Sequence, residues 1–168
     1  MNRADQKREM LRRVFQDAAG KHWSEPVLVR AVMTPQPFCV TPQHTAAQLV
    51  DLFHTHRFRH FLVAETGRLV GVISDRDVIR LFGTTNSLEP EYLESVSVAD
   101  LMSTDLITIS ADATLGKAAT MIIENGINCL PVVADGQAVG ILTSTDLFLA
   151  LEQVLQAVCA EQSAVSAR

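Results

Sequence analysis

Cysteine is scarce: three residues in 168, Cys39, Cys129 and Cys159. An odd number at such wide spacing supports neither a disulfide framework nor a CxxC metal site, and reads instead as reduced thiols packed in a core. Long apolar runs are missing too. The uninterrupted ones last only a few residues, against the roughly 18 to 20 a helix needs to cross a bilayer. The opening "MNRADQKREMLRRVF" carries charges where a secretory signal would have its apolar segment, so the cytoplasm, with no membrane partner, is the expected location. No GxSxG, HExxH or P-loop is present, and no cysteine has a histidine at a recognisable spacing, so no enzyme is expected. Basic charge is sparse outside the first 24 residues. That segment holds six Lys/Arg against three Asp/Glu, and the remainder eight against sixteen, for a net charge of −5. A predominantly acidic body argues against nucleic-acid binding, which usually needs a basic face. The basic start reads as a solvated helix over residues 5–19, with Met10, Leu11, Val14, Phe15 and Ala18 on one face and Gly20 as a stop.

What is present is an ordinary globular composition, 48% hydrophobic and 20% charged, at a length that fits one domain or two small ones. The chain also repeats itself. A shift of 69 positions aligns residues 33–77 with 102–146 without a gap. Seven of those 45 pairs are identical: Met33/Met102, Thr45/Thr114, Val63/Val132, Gly67/Gly136, Val70/Val139, Gly71/Gly140 and Asp77/Asp146. The pattern of residue types says more than the identities. Ala46, Leu49, Val50 and Phe53 form the apolar stripe of a helix that "TAAQ" opens as a capping box. Leu115, Ala118, Ala119 and Ile122 take the same places in the second copy. "FLVAETGRLVGVIS" and "LPVVADGQAVGILT" each read as strand, Gly-containing turn and strand. Each then enters a helix, "DRDVIRLF" or "STDLFLALEQVLQAV", and short extended stretches, "PFCVT" and "LITIS", come before the capped helices.

The expected fold is therefore α+β, two pseudo-symmetric strand-helix-strand-strand-helix units packed through their small sheets, with an additional N-terminal helix. A unit of roughly 50 residues buries too little surface to be comfortable alone. The expected boundaries are residues 1–26 for the N-terminal helical segment, 27–82 and 98–157 for the repeats, 83–97 for the linker and 158–168 for the tail.

The stretch "FHTHRFRHFLV" at 53–63 concentrates His54, His56, Arg57, Arg59 and His60. Gly126, opposite Arg57 in the second copy, marks the end of the helix, as glycine does just past a helix. His56 and His60 thus straddle a helix end and cannot form a two-histidine metal face, and His54 and His56 point apart. Two readings stay open for the cluster. Cationic side chains are favoured at a helix C-terminus, whereas Arg59 and His60, at the start of a strand, could face an anion near the strand ends.

These residues together resemble a tandem pair of CBS domains, the cystathionine-β-synthase-type regulatory repeat or Bateman module, over about residues 27–155. The motif G-h-h-[ST]-x-x-D appears as "GVISDRD" at 71–77 and "GILTSTD" at 140–146. A carboxylate on the first helical turn suits two vicinal ribose hydroxyls, and the helix N-terminus favours a phosphate. Asp77 and Asp146 could equally be helix caps, with Ser74 and Thr143 as turn residues. The resemblance implies clefts for adenosine-containing ligands such as AMP, ADP or ATP, each drawing its Asp from one repeat and its base-lining residues from the other. One would use Ile141, Thr143, Thr145 and Asp146 with Thr34, Phe38, Phe58 and Arg59. Its mirror would use Val72, Ser74, Arg76 and Asp77 with Ser103, Ile107, Ile127 and Asn128. His60 joins Arg59 where family members often place basic residues for phosphate. Leu62 departs from the family's proline, kept at Pro131, and Asn128 and Cys129 bring no charge, so the two clefts are unequal.

A CBS pair standing alone implies a sensor that changes shape for a regulated partner, itself unidentified. The alternatives are a ligand-free dimerisation or scaffolding module and a small enzyme built on the His/Arg cluster. The family's habit of pairing through helices implies a homodimer. The helices after the Asp motifs carry more apolar residues than one face can bury, namely Val78, Ile79, Leu81 and Phe82, then Leu147, Phe148, Leu149, Leu151, Val154 and Leu155.

Overall fold

The expected order of elements is present twice. A computed structural model describes residues 3–20, 26–84 and 89–166. After α1 (Arg3–Gly20) come α2 (Val29–Val32) and β1 (Thr34–Pro35). The first repeat then runs β2 (Cys39–Val40), α3 (Ala46–His56), β3 (His60–Glu65), β4 (Arg68–Ser74) and α4 (Asp75–Thr84). Helices α5 (Pro90–Ser95) and α6 (Val98–Leu101) lead to the second, β5 (Ile109–Ser110), α7 (Leu115–Asn125), β6 (Cys129–Ala134), β7 (Gln137–Thr143) and α8 (Ser144–Ser166).

Local chemistry sets the boundaries. Thr45 caps α3 by accepting from the Gln48 N–H at 3.3 Å, and the Gln48 side chain accepts from the Thr45 N–H at 3.0 Å, the reciprocal box read from "TAAQ". Thr114 caps α7 with one half of that arrangement, accepting from the Lys117 N–H at 3.2 Å. Both helices stop at a left-handed residue, Arg57 at φ 54° and Gly126 at φ 62°. The two hairpins turn on Thr66-Gly67 and Asp135-Gly136, all four residues at positive φ, the backbone that suits a two-residue connection between twisted strands. Thr66 is the costly member, because a β-branched residue at φ 48° crowds its own backbone. Thr66→Asn should stabilise by about 0.5 to 1 kcal/mol, since Asn visits this region readily. That is a rise of about 1 to 4 °C in the thermal midpoint. A thermal melt checks it, and Asp135→Thr should move the midpoint the other way.

The chain forms two compact units, Met1–Pro35 with Ile109–Val132 and Gly140–Arg168, and Gln36–Thr108 with Val133–Val139. Each unit therefore combines most of one repeat with the segment preceding the other, and residues 133–139 of the second repeat count with the second unit. In the first unit β1 pairs antiparallel with β7, Thr34 opposite Ile141 and Pro35 opposite Gly140, on the edge of the sheet ordered β1-β7-β6-β5. In the second, β2 pairs parallel with β3 and β3 antiparallel with β4, while Val72 and Ser103 exchange backbone hydrogen bonds at 2.9 and 3.0 Å. A Cβ on Gly140 would overlap the Met33 sulfur, and one on Gly71 the Met102 sulfur. This close approach accounts for Met and Gly recurring together in both copies.

The second unit's core gathers Val40, Leu49, Phe61, Val63, Ile73, Val78 and Val98. The first unit buries Val29, Val32, Leu130, Val132 and Leu142, and adds Leu11 and Phe15 from α1. The N-terminal helix is thus docked rather than solvated, with Arg8 Nε on Glu152 at 3.0 Å. Three further expectations need correction. Met10 is exposed, because α1 turns Leu11 and Phe15 inward instead. Val50 is exposed, because α3 turns Ala46 and Leu49 inward and its partly buried Leu52 and Phe53 complete the packed face. Cys159 is exposed on α8, while Cys129 is buried and half-buried Cys39 has its thiol pushed above the usual value by burial. The side chains of Ala18 and Phe82, and linker residues 85–88, lie outside the described residues.

Candidate ligand-binding site

Each hairpin passes directly into a helix, β4 into α4 and β7 into α8, and a helix start leaves N–H groups needing partners. The motif aspartates supply part of the answer. Asp77 Oδ2 accepts from the Ser74 N–H at 2.9 Å and the Ser74 hydroxyl at 2.6 Å. Asp146 Oδ2 accepts from the Thr143 N–H and hydroxyl, both at 2.8 Å, and the Asp146 N–H points back to Thr143 Oγ1 at 3.4 Å. Cap and ligand readings are therefore compatible. One oxygen serves the helix start, and Oδ1 is directed elsewhere. The capping pattern alone says nothing of a ligand, since Ser97 donates to Asp100 in the same manner at the start of α6, at 3.0 and 2.5 Å. Those bonds hold the Asp100 carboxyl below its ordinary pKa.

What sets Asp77 and Asp146 apart is their surroundings. In the first unit Thr34, Ile141, Thr143 and Asp146 come together at the end of β7, and Asp146 is 7% exposed. Its Oδ1 meets Lys7 Nζ at 3.2 Å, and the same ammonium lies 3.4 Å from Thr34 Oγ1. Asn128 sits beside the start of α8, its carbonyl accepting from the Ser144 N–H at 3.0 Å, with half-buried Ile127 before it, and Thr145 is exposed.

In the second unit Val72 and Ser103 are bridged, Ser74 and Asp77 are bonded, and His60 lies opposite Ser74 in the β3–β4 ladder. Arg59 Nε donates to Asp75 Oδ2 at 3.3 Å, an exposed pair that water and salt weaken. Arg76 is exposed and Ile107 half-buried. Asp77 Oδ1 faces Arg80 Nη1 at 3.5 Å. Arg59, His60, Ser74 and Asp77 thus collect at one end of this sheet. Phe38 and Phe58 lie nearby, each against His56, with ring centroids 4.8 and 5.2 Å apart respectively. His56 is therefore an aromatic partner and not a solvated helix end, whereas His54 and Arg57 are exposed as that reading expected. The phenylalanines at 58 and 61, two and five positions after it, were the available signal.

Burial lowers the His60 pKa below 6.5, with Asp75 opposing and Arg59 adding to the shift. The sign follows from proton uptake. Below the ordinary histidine pKa the unfolded chain binds a proton that the folded one resists, so stability is full above that value and declines as pH falls through the window beneath it. Denaturant midpoints measured from pH 7.5 to 5 should fall, and fall less in His60→Gln.

Among the described residues no group of three or more His, Cys, Asp or Glu could hold a metal ion, and no helix is long and apolar enough to cross a membrane. Known proteins supply the remaining comparison. The CBS-domain sequence profile matches residues 29–83 and 98–153. The CBS domain-containing protein YhcV of Bacillus subtilis is 30% identical over 119 residues, 71% of this chain and 81% of that protein. A crystal structure of a candidate acetoin utilization protein (AcuB) from Vibrio cholerae is similar at TM-score 0.69 and 26% identity, covering 79% of this chain and 95% of that one. CBSX2, solved in complex with AMP, is similar at TM-score 0.66 and 29% identity, covering 76% and 98%. Other curated relatives are longer, and the chain spans 28%, 25% and 13% of three of them. With both repeats matched by the profile, in the order and register that the internal alignment gives, the chain belongs to the CBS-domain family as a tandem pair.

Proposed function

We propose that the pair is a regulatory sensor that binds an adenosine-containing ligand, AMP, ADP, ATP or a similar molecule, and transmits a conformational change to a partner protein in the cytoplasm. The observation that carries this reading is the duplicated carboxylate, at Asp77 and at Asp146, with Oδ2 held by the helix start and Oδ1 turned to a cation, Arg80 or Lys7, that a ribose diol would have to replace. Phosphate would be met by Arg59, His60 and Arg76 and by the N–H groups at the start of α4, and the base by apolar neighbours such as Phe38, Phe58, Val72 and Ile107 in one unit and Ile127 and Ile141 in the other. Similarity to a CBS pair solved with AMP supports the ligand class. The test is thermal unfolding against adenosine, AMP, ADP, ATP and S-adenosylmethionine. A ligand at 100 times its Kd adds about 2.7 kcal/mol, which for this length is a rise of about 5 to 10 °C. A flat response to the whole panel would favour the second reading, a ligand-free dimerisation module.

The observation favouring dimerisation is an apolar strip. Phe148, Leu151, Leu155 and Val158 are exposed along α8, and Ile123 of α7 is 78% exposed. A groove of about 690 Å³ lined by Phe15, Leu115, Ile122, Leu147 and Val154 adjoins them. Contiguous apolar surface of this kind marks an interaction site, and a second copy of the chain, presenting the same strip, is the proposed occupant.

A further inference from the structure

The N-terminal helix reaches the candidate ribose site of its own unit. Leu11 and Phe15 seat α1, and the Arg8–Glu152 pair fixes it along α8. This brings Lys7 Nζ to 3.2 Å from Asp146 Oδ1, with both side chains about nine-tenths buried. Asp146 Oδ2 is already occupied by two donors from Thr143, so Oδ1 is the oxygen a ribose diol would need. The ammonium also takes Thr34 Oγ1, a second group of the same site. We infer that Lys7 is an intramolecular competitor of the ligand at Asp146, so that the site in this unit opens only when Lys7 withdraws. Asp77 has no such occupant of equal burial: its Oδ1 partner, Arg80, has a side chain 80% exposed and yields to a ligand readily. The two sites therefore differ in apparent affinity, the Asp77 site filling first, and α1 sets the threshold of the Asp146 site.

This rests on the ribose reading of Asp146, and the experiment separates the two. Calorimetric titration uses adenosine, which carries no phosphate and so presents no charge to Lys7, in an Asp77→Asn background where the other site is silenced. Apparent affinity scales with the fraction of protein in the open state, so adding Lys7→Met, which keeps the stem and removes the charge, should tighten adenosine binding about three- to tenfold. Unchanged or weaker binding overturns the competition. Adding Asp146→Asn instead should weaken binding. If it has no effect, or if adenosine binds none of these proteins, the ribose reading fails and the competition with it. Acylation of the Lys7 amine, followed by peptide mass, gives a readout that does not depend on affinity. The competition requires saturating adenosine to accelerate Lys7 acylation, because the amine is freed. Protection of Lys7 by adenosine would show that Lys7 holds the ligand, and overturns the proposal.

Discussion

Asp77→Asn lowers the affinity of the second unit's site for AMP by a factor of ten or more. The substitution keeps the shape of the side chain and an oxygen for the Ser74 cap, and removes the charge that a ribose diol would meet. Hydrogen bonds to a charged group contribute about 1.5 to 3 kcal/mol each, and about 1.4 kcal/mol is one decade in Kd. Helix stability changes far less, since loss of a whole cap costs about 1 kcal/mol. Arg59→Ala gives the complementary pattern. Its exposed pair with Asp75 contributes little to folding, so the change should leave adenosine affinity unaltered and weaken ATP most, because a guanidinium contact grows with the charge of the anion. Titration of adenosine, AMP and ATP into each variant distinguishes a ribose contact from a phosphate contact.

The joint substitution Phe148→Asp with Leu151→Asp converts a dimer to a monomer at micromolar concentration. The two side chains are 70% and 52% exposed in the single chain, so charging them leaves its fold almost untouched. In a dimer built on α8 each carboxylate would face apolar surface, and buried aromatic and aliphatic anchors of an interface commonly lose about 2 kcal/mol or more on truncation alone. Sedimentation velocity should show the wild type at twice the mass of the variant. A monomeric wild type would remove the dimer from the account.

The parts of the fold that local chemistry determines were legible in the sequence. "TAAQ" announced a capping box that forms with both hydrogen bonds, Gly126 announced the left-handed stop, and the two aspartates announced the strand-to-helix junctions. Helices α2 and α6, four residues each, were not legible, since so short a segment has no periodicity to read. The resemblance put Thr34 with Ile141 in one cleft, but their pairing as strands was not legible, since it depends on which backbone edge a distant segment meets. The candidate site divides along the same line. Ser74 with Asp77 and Thr143 with Asp146 are three residues apart and could be paired on paper. Lys7 lies 139 positions before Asp146, and only the burial of Leu11 and Phe15 places it there. A basic segment viewed by itself looks like solvated charge, and the acid it serves is visible only after folding.

The most direct measurement is calorimetric titration of adenosine into the wild type and into the joint Asp77→Asn, Asp146→Asn variant. Saturable binding in the wild type that disappears in the variant, with both proteins folded by circular dichroism, is the outcome expected of a sensor that holds its ligand by the ribose. Equal affinity in the two proteins, or no binding to the wild type, would contradict it.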